Sequence, residues 1–125
     1  MNASSWEELT SQLAARLPLL ELDDVIQLIG PGNRFTELRQ SDGGLTLDAV
    51  SNEFLAPDGH LDAAQEQAMR DKGWQSPSPL WTYEVDKWPP NSHDAAQVAE
   101  LMVSTLRDVY RVAGPSDIEV KSFNA

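Results

Sequence analysis

Three short apolar runs, Val25 to Ile29, Arg34 to Arg39 and Leu45 to Val50, are parted by Gly30-Pro31-Gly32-Asn33 and by Ser41-Asp42-Gly43-Gly44. Runs of five or six residues between such turn residues are too short for stable helices and have the length and punctuation of strands. The second turn carries residues that tolerate positive φ, which predicts a hairpin, and the three runs together predict an antiparallel meander. A sheet of this kind has an apolar face that must be buried against another layer. The flanking sequence has to supply that layer.

It does so with helices. Ser5-Trp6-Glu7-Glu8 has the form of a capping box, in which a serine oxygen accepts from an amide and Glu8 reaches back to the serine amide. Trp6, Leu9, Leu13 and Leu17 then follow on one helical face, and Pro18 disfavours continuation, so a helix is expected over Ser5 to Leu17. Asp62-Ala63-Ala64-Gln65 and Asp94-Ala95-Ala96-Gln97 each read as an aspartate N-cap with glutamine three positions on, not as a duplication. The first predicts a helix to about Lys72, stopped at Gly73. The second predicts a helix with Ala95, Val98, Ala99, Met102, Leu106, Val109 and Ala113 on one face, ended by Gly114-Pro115.

Two further strands complete the pattern. Trp81, Tyr83 and Val85 alternate with Thr82, Glu84 and Asp86, and the flanking prolines favour an edge position because proline cannot donate to a ladder. Ile118 to Phe123 alternates in the same way. The expected architecture is α+β: an antiparallel sheet of four to five strands packed against helices, in the order α-β-β-β-α-β-α-β. With 125 residues and 41% hydrophobic content, a single domain over 1–125 is expected.

Composition narrows the function classes. Nine Lys and Arg against twenty Asp and Glu leave a net charge of -11, spread along the chain. A field of that sign repels phosphate backbones and anionic lipid, which disfavours nucleic acid and membranes as partners. The absence of cysteine removes disulfides and thiolate chemistry. The start MNASSWEEL has neither the basic residues nor the apolar stretch of a signal peptide, so cytoplasm is the expected compartment.

No residue set stands out as catalytic. Ser92-His93-Asp94 contains the residue types of a relay, but adjacent residues at a helix start point in different directions. His60 and His93, beside Asp58, Asp62 and Asp94, lack the spacing of a metal site, and Ala56-Pro57-Asp58-Gly59 is a turn first. Gly30-Pro31-Gly32-Asn33 precedes a strand instead of a helix and forms no phosphate loop. Neither an enzyme nor a cofactor is expected.

The aromatic residues carry the remaining signal. Burying a tryptophan contributes about 4–6 kcal/mol before entropy, so Trp6, Trp74 and Trp81 are expected in the core. Trp88 falls with the polar set of its strand and precedes Pro89-Pro90, which leaves burial and exposure on a groove both open. Tyr83 can bury its ring and keep its hydroxyl wet. Phe54 and Leu55 lie in the polar loop Ser51 to His60, where they are either buried or exposed for a reason.

Taken in order, Trp6-x-x-Leu9, Arg34-Phe35, Ser51-Asn52-Glu53-Phe54-Leu55, Gly73-Trp74 with Pro77, Trp81, Thr105-Leu106-Arg107-Asp108-Val109 and Pro115 span nearly the whole chain. In these landmarks the chain resembles the actinobacterial TY-Chap domain family, related in fold to YbjN and to type III secretion chaperones. The resemblance implies an antiparallel sheet covered by helices and a non-enzymatic chaperone or adaptor for a protein or peptide client, with a homodimer as the expected assembly. Trp88, Tyr83, Phe54 and Leu55 are the expected partner-binding residues, used as exposed hydrophobic surface beside a sheet edge, and the acidity favours a basic client. The alternative is an immunity protein or toxin inhibitor that presents its acidic surface to a basic cleft.

Overall fold

The structure, a computed structural model, describes residues 3–86 and 92–125, the side chains of residues 92 and 93 excepted. Trp88 therefore lies outside the described residues. The chain runs α1 (Trp6–Arg16), β1 (Asp24–Gly30), β2 (Arg34–Ser41), β3 (Gly44–Ala49), α2 (Ala63–Asp71), β4 (Trp81–Val85), α3 (Ser92–Ser104) and β5 (Glu119–Asn124). This is the expected α+β order. The five strands form one antiparallel sheet in the order β4-β3-β2-β1-β5, so the meander is central and the two later strands occupy its edges.

Register follows from the β2–β3 turn. Ser41 pairs with Gly44 across Asp42-Gly43, and Gly43 takes φ +83°, a conformation open to glycine at little cost. Alternation then sets two faces. Ile26, Leu28, Thr36, Leu38, Leu45, Leu47, Ala49 and Trp81 are buried on the helix-bearing face. They meet Leu9, Leu13 and Leu17 of the first helical segment, Met69 of α2, and Ala95, Val98, Ala99 and Met102 of α3 in one core. Trp74 and Trp81 are buried in that core, and Trp6 packs partly buried against it, as their size predicts.

Helix ends show where local rules held and where they shifted. The Ser5 hydroxyl accepts from the Glu8 amide at 3.1 Å, but the Glu8 carboxylate accepts from the Ser4 amide and hydroxyl instead of returning to Ser5. At Asp62 the box is complete, with both reciprocal bonds formed to Gln65. The end of α2 is a Schellman motif: Trp74 donates to the Met69 carbonyl, Gly73 donates to the Arg70 carbonyl, and Gly73 has φ +102°. The helix start placed at Asp94 is corrected. Asp94 lies within the first turn of α3, where a carboxylate faces the positive end of the helix dipole.

The far end of that helix is also corrected. Instead of running to Ala113, α3 passes at Thr105–Val109 into one π turn, and Arg111 takes the left-handed conformation at φ +58°. A π turn shifts the ladder by one residue and leaves a carbonyl short of a partner at the junction. The Thr105 and Thr36 hydroxyls donate to the Leu101 and Met102 carbonyls, at 2.6 and 3.3 Å. The shift buries Tyr110 and Val112 and turns Ala113 out.

Candidate functional site

Tyr83 stands on the helix side of the edge strand β4, across from Leu47. Its seat is built by the end of α2. A Cβ on Gly73 would lie 2.9 Å from the tyrosine ring, so only glycine lets the ring lie this close to the backbone. Trp74 meets the same ring edge to face at 6.1 Å, and its indole nitrogen donates to the Thr105 hydroxyl at 3.1 Å. Tyr83 is thus held by two residues whose own positions are set by a helix cap and by the π turn.

Beyond Tyr83 opens a groove of about 530 Å³ between β4 and α3, lined among others by Lys72, Tyr83, Val85, Val98, Leu101 and Ser104. Lys72 caps α2 and donates to the Ser104 hydroxyl at 3.1 Å. On the π turn that follows α3, Arg107 holds Asp108 through both guanidinium arms, at 2.8 and 2.9 Å. That fork pulls the Asp108 carboxyl below the ordinary carboxylate range, Lys72 adding a smaller effect. Most of the groove surface is apolar, while its wall also carries Lys72, the carboxylates of Asp94 and Glu100, the Gln97 amide and the hydroxyls of Tyr83 and Ser104, and it suits an amphipathic chain segment more than a reaction.

The adjoining sheet edge is partly occupied. Thr82 exchanges both of its main-chain bonds with Gln75, at 2.8 and 3.3 Å, which covers the edge there. Strand alternation turns the N–H and C=O of Glu84 outward in the same way, and no described strand lies beyond them. The edge of β4 can therefore add main-chain bonds next to the groove.

The other expected contact residues fall apart in space. Phe54 is 48% exposed, with its carbonyl accepting from the Asn33 side chain beside the β1–β2 turn. Val85 pairs with Leu45 next to the β2–β3 turn, so the groove opens toward the opposite end of the sheet. Leu55 is in the core at 6% exposure, and its carbonyl is held by His60 Nε2 at 3.1 Å. Asn52 fastens this loop, accepting from the Leu61 amide and donating to the Leu61 carbonyl. The loop is thereby tied down so that Leu55 points in and Phe54 out. Lys72, Leu101 and Ser104 were not singled out by sequence reasoning. Leu101 had a readable signal, since it is an apolar residue off the buried stripe of α3.

Searches of curated proteins and of solved structures find no match. Residues 2–124 match the family described as TY-Chap3, T3SS (YopN, CesT) and YbjN peptide-binding chaperone 3. With the expected α-β-β-β-α-β-α-β order in place over the same residues, the chain belongs to the TY-Chap3 family of peptide-binding chaperones.

Proposed function

We propose that this protein is a non-enzymatic cytoplasmic chaperone or adaptor that holds an extended segment of a client protein along β4, with alternate client side chains lodged in the groove between β4 and α3. The observation that carries the reading is the conjunction of an apolar groove with an open main-chain edge at Glu84. Strand addition uses both features: main-chain bonds supply affinity and alternate pockets supply selection. Family membership supports a peptide ligand. Trp88 belongs to this reading by its place in the sequence, between β4 and α3. Tyr83 forms the groove wall, whereas Phe54 would act only as a separate contact.

The test is hydrogen exchange in the presence of reduced, carbamidomethylated lysozyme, an unfolded basic polypeptide. Amides of residues 82–86 and 97–104 gain protection if the client lies along β4. Protection that arises elsewhere, or nowhere, removes this site.

A further inference from the structure

The sheet face turned away from the helices has no described layer over it, and it is not uniformly polar. On it lies a concavity of about 640 Å³ whose lining includes Leu22, Val25, Phe123, Glu37, Arg39 and Asp48. One side is apolar. Leu22 is 56% exposed and Phe123 47%, and Phe123 sits directly across from Val25 in the β1–β5 ladder. Isolated surface hydrophobes need no explanation, but two that share one concavity with a buried valine form a patch.

The other side is acidic in an unfavourable way. Glu37 and Asp48 stand directly opposite one another on β2 and β3, and like charges in that position destabilise a sheet. Glu37 is relieved by the Gln27 side chain, which donates to it at 2.7 Å. The Asp48 side chain has no hydrogen bond or ion pair among the described residues. Arg39, the cation that lines the same concavity, is engaged with Asp23 at 2.9 Å. Burial, and then the Glu37 charge, push the Asp48 carboxyl above its ordinary range. A local conflict that a threonine or glutamine would remove is the kind of feature found at functional positions.

We propose that this face is a second docking surface, for a segment of another protein that places an apolar side chain between Leu22 and Phe123 and an arginine or lysine, four residues on, against Glu37 and Asp48. Charge complementarity selects this occupant. A second copy of this chain brings a net charge of -11 and is repelled. A wholly apolar segment would strip water from two carboxylates without replacing it. The spacing follows from the sheet. Phe123 is two to three strand steps of ~4.8 Å and one side-chain row of ~6.8 Å from the acidic pair, a span of roughly 12–16 Å. Four residues of extended chain cover about 13 Å and return to the same face. This surface is separate from the groove beside Tyr83 and does not depend on it.

The probe is the labelled peptide acetyl-Thr-Ser-Phe-Thr-Ser-Thr-Arg-Thr-Ser-Thr-amide, measured by fluorescence anisotropy and by amide shift mapping. The expected result is saturable binding that weakens about tenfold when its arginine is replaced by glutamate, and by a similar factor in the Glu37→Gln/Asp48→Asn and Phe123→Ser variants. Shifts are expected at residues 25–27, 37–39, 46–48 and 121–123. Three results would overturn the proposal: no saturation up to millimolar peptide, equal affinity for the arginine and glutamate peptides, or shifts confined to β4 and α3. The last would place the peptide in the groove and leave the groove reading intact, while protection of β4 by lysozyme is read independently of this peptide.

Discussion

The indole nitrogen of Trp74 donates to the hydroxyl of Thr105 across 3.1 Å of buried space, and the same hydroxyl donates onward to the Leu101 carbonyl at 2.6 Å. This short chain joins the end of α2 to the π turn below α3, the two elements that flank Tyr83. Its polar atoms are shielded from water, so each depends on the next. Thr105→Val keeps the side-chain shape and leaves the indole N–H without its partner, which costs about 1–3 kcal/mol. Urea unfolding at neutral pH measures this. Combined with Trp74→Phe, the double variant should be less destabilised than the sum of the two single changes, because the bond is removed from both sides.

Gly73 ties the helix cap to the groove. At φ +102° an alanine would be strained whatever the space, and its Cβ would meet the Tyr83 ring at 2.9 Å. Gly73→Ala is expected to cost about 1–2 kcal/mol from the backbone alone. It should also change the near-ultraviolet circular dichroism, because displacing Tyr83 breaks its edge contact with Trp74. An unchanged aromatic spectrum in a destabilised variant would mean that the ring is not held by this glycine.

Tyr110 gives the fold an alkaline limit. Its hydroxyl donates to the Val50 carbonyl inside the core, and burial raises the phenol well above its ordinary value of 10.0. The unfolded chain ionises near that ordinary value while the folded chain does not. The contribution is therefore fully present below pH 10.0 and is lost as pH rises above it. Tyr110→Phe should lower stability by about 1–3 kcal/mol at neutral pH, where the Val50 carbonyl loses this donor. It should also flatten the decline above pH 10.0, as followed by denaturant melts across that range.

Asp48 behaves in the opposite sense to most surface carboxylates. Its folded value is raised, so its stabilising contribution is fully present below the ordinary 3.8 and is lost as pH rises through the folded value. Asp48→Asn should then raise the melting temperature at pH 7, first because a neutral amide spares the burial of a charge and then by relief of a cross-strand repulsion of about 0.2–1 kcal/mol. The advantage should vanish at pH 3, below the ordinary 3.8 of an aspartate, where the Asp48 carboxyl is protonated. Calorimetry at the two pH values checks this, and a variant less stable than the parent at pH 7 would contradict it.

Periodicity and turn chemistry made most of the fold legible in the sequence. The short runs from Val25 to Val50 became the meander, Asp62 and Gly73 bounded α2, and Trp81-Tyr83-Val85 became an edge strand facing the helices. These are properties of neighbouring residues, since alternation and capping depend only on covalent spacing and on local hydrogen bonding. The same locality explains the misplaced end of the last helix. Gly114 was the visible stop, but Arg111 adopts the left-handed conformation because the core takes Tyr110 and Val112 there.

The candidate sites were legible only in part, for a related reason. Tyr83 reached the groove because strand parity put it there, whereas Leu55 and Phe54 were parted by a loop that Asn52 fastens to Leu61. The union of Lys72 with Ser104, and of Phe123 with Val25 beside the Glu37–Asp48 pair, needed strand order and helix placement. The amino-acid sequence by itself determined which residues form each element and which side of it is apolar. The tertiary structure decided which edges and faces stay uncovered, because contacts between distant segments are chosen by burial of the whole core and not by any local pattern.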